Sequence, residues 1–208
     1  MFDTRAVALL KPLVDRLAKS LQGVGVSANA LTLIGFGIGI NAAMLIAFEF
    51  YRSAIILILL SRLCDGLDGA VARLGNQSGN QNGNPSDKGG YMDITLDFLF
   101  YASIPLAFAY ANPSANALAA ATLLAAFMGT ATSFLAFAVI AEKQQRKSSA
   151  YPNKSFYFLG GLTEATETLV AFIAMCVWPQ TFALIAFGFA GLCAVTIVMR
   201  VWHGWQVL

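Results

Sequence analysis

The chain has 208 residues, 58% of them hydrophobic and 12% charged, with a formal charge of +2. A mean hydropathy of +0.67 excludes an ordinary soluble domain and fits a single polytopic membrane domain. The net charge is too small to argue for nucleic acid as a partner.

Residues 1–24 do not read as a crossing. Leu10, Leu13, Val14, Leu17 and Leu21 share one helical face, while Lys11, Asp15, Arg16 and Lys19 interrupt the run. Two readings are open: an amphipathic helix on the membrane surface, begun or kinked at Pro12, or a helix packed on the protein's own cytoplasmic side. The charges set this run apart from a cleavable signal peptide. Gly23 and Gly25 break it, and Ser27 or Asn29 is placed to cap the next helix.

Leu31 to Phe50 is the first long apolar run, about 20 residues, which is enough to cross a bilayer. Gly35, Gly37 and Gly39 within it permit close helix packing. Ala54 to Leu74 is the second crossing, with Arg62 inside it. Residues 75–88 are rich in Gly, Asn, Gln and Ser and read as a flexible, water-exposed loop containing Asp87. Tyr91 to Asn112, Ala115 to Ala141, Phe156 to Trp178 and Thr181 to Trp202 are crossings three to six. A second polar, basic loop, Glu142 to Lys154, separates the fourth from the fifth. The fold class is therefore all-α: six transmembrane helices plus an N-terminal amphipathic helix, divided as 1–24 and 25–208. Cys64, Cys176 and Cys193 have no metal or CxxC spacing and read as small buried residues. The many Phe residues read as a lipid-facing aromatic surface.

Arg5, Lys11, Arg16, Lys19, Arg73, Lys88, Lys143, Arg146, Lys147, Lys154 and Arg200 fall on one side of this plan, and Arg52 alone on the other. The positive-inside rule puts both termini and the ends of the second and third crossings that carry Arg73 and Lys88 at the cytoplasmic face.

Four carboxylates stand out. Asp65 and Asp68 are spaced i, i+3, and Asp93 and Asp97 i, i+4, so each pair shares a helix face at the cytoplasmic end of its segment. Ionised Asp in a membrane segment costs several kcal/mol or more and persists only where something compensates it. Oxygen-only ligands suit Mg²⁺, Mn²⁺ or Ca²⁺, not zinc. Arg62, one turn before Asp65, is a further source of compensation.

The pattern Asp65-x2-Asp68-Gly69-x2-Ala72-Arg73, then Gly89-x3-Asp93-x3-Asp97, resembles the signature of the CDP-alcohol phosphotransferase family, also called CDP-alcohol phosphatidyltransferases. Ser27-Ala-Asn29-Ala-Leu31-Thr32 resembles that family's lead-in to its first crossing, with Ala28 where proline is usual. The stretch from Ser155 to Glu164 is similar to a little-studied bacterial inner-membrane branch. One departure is plain: residues 74–88 make fifteen between the Arg and the second Gly, where eight are usual. Loop closure costs only about 0.6 kcal/mol per doubling, so the motif tolerates the insertion.

The resemblance implies transfer of a substituted phosphate, usually from CDP-diacylglycerol, to an alcohol, with release of CMP. It implies two divalent ions, Mg²⁺ or Mn²⁺, on Asp65, Asp68, Asp93 and Asp97, with Asp97 also the general base. It assigns nucleotide contacts to Asp65, Asp68, Gly69, Ala72, Arg73, Gly89 and Thr32. It implies partners in a CDP-linked lipid donor, an alcohol and membrane lipid, and a homodimer. For the acceptor, Lys154 and Arg200 would suit a phosphorylated alcohol, Glu164 and Glu167 an amino-alcohol, and internal ion pairing is the alternative. His203 reads as interfacial. Two rivals stand beside the transferase: a divalent-cation transporter using the four Asp, and a silent family member that only binds nucleotide or lipid.

Overall fold

The computed structural model describes residues 2–78, 87–144 and 162–207. Among these residues the protein is all helical. The helices are α1 (Phe2–Gly23), α2 (Ala28–Ala47), α3 (Tyr51–Ser78), α4 (Asp87–Ala111), α5 (Pro113–Lys143), α6 (Ala165–Val177) and α7 (Phe182–Val207).

Four spans, α2, α4, α5 and the stretch from Pro179 through α7, are long and apolar enough to cross a membrane. They make this a membrane protein. The expected six crossings are not all matched by that criterion. α3 has 28 residues but carries Arg62, Asp65, Asp68 and Arg73, and α6 has only 13. The polar loop is also shorter than 75–88: α3 runs on to Ser78 and α4 starts at Asp87. The added turns hold Gly75, Asn76, Gly89 and Gly90, poor helix formers with no apolar run, so neither propensity nor hydropathy marks them as helix.

Local chemistry sets the turns. Gly25 takes a left-handed φ of +82° between α1 and α2. Ser27, not Asn29, caps α2, its Oγ accepting from Ala30 N at 3.2 Å. α2 closes with the amide of Glu49 on Ile46 O and that of Phe50 on Leu45 O, a Schellman pattern. Glu49 therefore sits at φ 65°, where glycine is usual. Asn112 caps α5 by accepting from Ala115 N at 3.2 Å, with Pro113 as the first helical residue. Pro105 lies inside α4, where its missing N–H removes the usual bond to Tyr101 O.

α1 uses one face on its own protein. Val14, Ala18 and Leu21 pack with Leu31, Leu67, Ala70 and Val71 of α2 and α3. This is the internal packing offered above as an alternative to a surface helix. Pro12 lies inside α1 without ending it.

Phenylalanines divide into two populations. Phe48, Phe50, Phe98 and Phe187 are exposed, as a lipid-facing surface requires, but Phe100, Phe108, Phe172 and Phe182 are fully buried. Phe108 stacks on Phe182 at 4.4 Å, and Phe100 and Phe127 meet Phe172 edge-on. This aromatic core ties α4, α5, α6 and α7 together. Cys176 and Cys193 are buried and all three cysteines are free.

α2 and α3 approach closely because glycine lines their contact. A Cβ on Gly35 would stand 2.9 Å from Cys64 Cβ, and one on Gly39 would stand 2.5 Å from Phe100 Cδ2. Gly37 faces open space. Ser61 seals the seam by donating to Gly35 O at 2.8 Å. The close approach brings the motif residues of three helices to one place.

Candidate active site

α3 presents Asp65 and Asp68 one turn apart, and α4 presents Asp93 and Asp97. One oxygen from each of Asp65, Asp93 and Asp97 lies within 4.8 Å of the others. At an effective dielectric near 20, each unit-charge pair at that spacing repels by about 3 kcal/mol. The arrangement therefore asks for positive charge among the three oxygens.

Asp68 stands apart from that trio. It is buried, and its Oδ2 accepts a 2.6 Å bond from Thr32 Oγ1 of α2. Thr32 Oγ1 also reaches Ala28 O at 3.1 Å, so the hydroxyl is pinned between its own helix and the carboxylate.

Arg62 supplies one positive charge. Its Nη1 donates to Asp97 Oδ1 at 2.7 Å and lies 3.7 Å from Asp65 Oδ1. Nη2 donates to Ser61 Oγ at 3.3 Å. The guanidinium lies over the Phe100 ring at 4.1 Å and near the Tyr101 ring at 5.5 Å. Its Nε is buried and has no hydrogen-bond partner among the described residues. An arginine within an apolar bundle costs about 3 kcal/mol or more, so the carboxylates and rings compensate it mutually.

Two spaces with shared wall residues surround these groups. A small one of about 10 Å³, room for one water-sized guest, is lined by Thr32, Ser61, Arg62, Asp65, Asp93 and Asp97. A larger one of about 860 Å³ is lined by Thr32, Asp68, Gly69, Ala72, Gly89 and Asp93, with Phe98, Leu99 and Leu135 on an apolar side. Thr32 and Asp93 belong to both walls. The volume lies within the usual range for small-molecule sites, about 300–1,000 Å³. Gly69 keeps its wall open. Arg73 is exposed, and its Nη1 folds back to 3.3 Å from where a Cβ on Gly69 would be.

The fit to a divalent ion can be tested on these atoms. Mg²⁺ bonds to oxygen at about 2.1 Å, so two opposite ligands span about 4.2 Å. At most one pair among three ligands can be opposite and adjacent ones lie about 3.0 Å apart, so the three carboxylate oxygens, within 4.8 Å of one another, must draw closer to share one ion. The donors are all oxygen and the spacing is near that of shared ligands, so the residues fit Mg²⁺ or Mn²⁺.

The residues suggested for the acceptor are not gathered in the same way. Lys154 lies outside the described residues. Glu167 caps its own helix, its Oε2 accepting from Glu164 N at 3.2 Å. Arg200 is buried in α7, donates from Nη1 to Thr130 O of α5 at 3.0 Å, and lies 5.7 Å from the Phe134 ring. His203 is exposed. Ser61, Phe100 and Tyr101 were not anticipated. Ser61 adjoins Arg62 in sequence, but the two rings lie on α4 and carry no local signal.

Known proteins resemble this chain over most of its length. The family model for CDP-alcohol phosphatidyltransferase matches residues 25–203. The inner membrane protein YnjF of Escherichia coli (strain K12) is 46% identical over 208 residues, all of this chain and 97% of that protein. Among solved structures, phosphatidylinositol phosphate synthase of Mycobacterium tuberculosis with CDP-DAG bound superposes with a TM-score of 0.71. It shares 18% identity, over 93% of this chain and 94% of that one. The same enzyme with manganese and citrate superposes with a TM-score of 0.69 at 19% identity, over 92% and 88% of the two chains.

Proposed function

The chain belongs to the CDP-alcohol phosphatidyltransferase family, a family of transferases for substituted phosphate groups, and on that premise we propose that it moves a phosphatidyl group from CDP-diacylglycerol to an alcohol. The observation that carries this reading is the carboxylate trio beside the 860 Å³ cavity, with Thr32 and Asp93 in both walls and Asp68, Gly69, Ala72 and Gly89 along the larger. In this reading those residues and Arg73 hold the nucleotide and pyrophosphate. Phe98, Leu99 and Leu135 give the acyl chains an apolar flank. Arg73 is placed to fork onto a phosphate oxygen.

The chemistry is a displacement at phosphorus. Asp97 accepts the proton of the acceptor hydroxyl, and that oxygen attacks the phosphorus bearing the lipid. The bond from that phosphorus to the bridging oxygen breaks, and CMP leaves with the bond's electron pair. A divalent ion, Mg²⁺ or Mn²⁺, held by Asp65, Asp93 and Asp97 with Asp68 at its edge, would neutralise the diphosphate. Asp65 and Asp93 orient the trio, while Thr32 holds Asp68 toward the nucleotide space.

The setting is a bacterial inner membrane, with the site at the cytoplasmic face. The relative's description as an inner membrane protein and the basic residues on that side support this. We take 25–208 as the transferase domain and 1–24 as its accessory amphipathic helix. Six crossings follow if α3 and α6 are added to the four apolar spans. At 1.5 Å per residue, α3 reaches about 42 Å, more than a hydrocarbon core. A homodimer follows the family pattern. Arg200 and Glu164 serve the acceptor side in this reading.

The test is a transfer assay in nanodiscs with radiolabelled CDP-diacylglycerol, Mg²⁺ and a panel of alcohols. Lipid product and CMP are expected in equal amounts. Asp97→Asn is expected to lower kcat by about 10²–10⁴, the usual contribution of a positioned general base. Transfer undiminished in Asp97→Asn would remove Asp97 as the base.

A further inference from the structure

Asp87 is a further carboxylate at the large cavity, outside the signature and within the stretch where the chain exceeds the usual spacing. It stands in the first turn of α4, is exposed, and lines the 860 Å³ space. The α4 residues of that wall give the space a direction. Asp87 and Gly89 precede Asp93, and Phe98 and Leu99 follow it. At 1.5 Å per residue, Asp87 lies about 9 Å along the axis from Asp93, and Leu99 about 9 Å the other way. On α3, Gly69 and Ala72 follow Asp68 toward the loop between the two helices, so they belong to the Asp87 end. The next step rests on the transferase reading. With the diphosphate level with Asp93 and the acyl chains against Phe98 and Leu99, the nucleoside extends toward Asp87. The ribose adjoins the phosphates, and the base is the far end.

We propose that Asp87 reads the base of the donor, its carboxylate accepting from the exocyclic N4 amine of cytosine. A carboxylate accepts hydrogen bonds and does not donate them. Cytosine presents an amine donor at position 4, and uracil presents a carbonyl oxygen at the same place, so the contact that favours one base repels the other. Gly69 and Ala72 bring little bulk to the α3 wall, which leaves room for a flat ring. The helical start at Asp87 is what gives the carboxylate a fixed place on the wall. Asp87 is thus a specificity-determining residue for the nucleotide, not a member of the ion-binding set.

The test compares CDP-diacylglycerol with UDP-diacylglycerol on the full chain in nanodiscs with Mg²⁺, by equilibrium binding and by transfer. The wild type is expected to bind the CDP donor at least about tenfold more tightly, the discrimination of one such contact. Asp87→Ala should cut that ratio about tenfold through weaker binding of the CDP donor, with kcat at saturation little changed. Asp87→Asn, whose amide can donate to the uracil oxygen, should move the ratio further toward the UDP donor. Lys88→Ala, an exposed neighbour outside that wall, should leave the ratio unchanged. The Asp87→Ala loss should persist with a 2′-deoxy-CDP donor; its disappearance there would assign the contact to the sugar and overturn the proposal. So would a folded Asp87→Ala that weakens both donors equally, or neither. Tight, base-selective binding by the wild type without transfer would instead sink the transferase reading, while the ratio still decides the role of Asp87.

Discussion

Gly37 and Gly39 lie two residues apart on α2, yet alanine should have opposite effects at the two positions. A Cβ at position 39 would stand 2.5 Å from Phe100 Cδ2, 2.9 Å from Phe100 Cε2 and 2.9 Å from Ser61 Oγ. Ordinary carbon contacts begin near about 3.5 Å, so the ring must retreat by about 1 Å. It has little room to do so, because Phe100 is fully buried and packs edge-on against Phe172 and Tyr101. Overpacking of this kind costs about 1–3 kcal/mol. At about 2–4 °C per kcal/mol for a chain of this size, Gly39→Ala should lower Tm by roughly 2–12 °C. Activity should fall further than stability, because Phe100 is the platform for Arg62 and Ser61 its tether. At position 37 a Cβ meets nothing within 4 Å. Gly37→Ala should therefore gain about 0.5–1 kcal/mol from helix propensity and leave transfer unchanged. Thermal unfolding in detergent and the CDP-diacylglycerol assay, run on both variants, check the pair. Equal Tm shifts at the two positions, or a Gly39→Ala enzyme with wild-type Tm and rate, would refute the packing argument.

Two further outcomes follow from single contacts. Thr32→Val removes the 2.6 Å bond to Asp68 while keeping the shape of the side chain. At about 1.5 kcal/mol for a hydrogen bond to a charged group, KM for the CDP-linked donor should rise roughly tenfold with kcat little changed, and steady-state kinetics would show an effect on kcat instead if Asp68 served the chemical step. Glu49→Gly relieves the left-handed φ of 65° at the end of α2 and should stabilise the protein by about 1 kcal/mol, read as a higher Tm with the same transfer rate.

Much of this architecture was legible before any coordinates. Apolar runs of about 20 residues mark α2, α4, α5 and α7, and Ser27 and Asn112 sit where capping chemistry places them. Helical spacing put Asp65 with Asp68 and Asp93 with Asp97, because within one helix the spacing alone sets the face. The limits are equally physical. The helical extensions to Ser78 and back to Asp87 are polar and invisible to hydropathy. Thirteen residues of α6 fall short of a crossing by length.

Residue order alone settled an all-helical membrane chain, the family signature and the four carboxylates that bear it. Packing alone decided that Asp68 pairs with Thr32 while the other three converge, and that Arg62 faces Asp97 more closely than its sequence neighbour Asp65. Packing also decided that Gly39, not Gly37, makes room for Phe100. The reason is one of range. A helix dictates where each side chain points relative to its own axis, but which axes come to lie side by side depends on surfaces contributed by segments far apart in the chain.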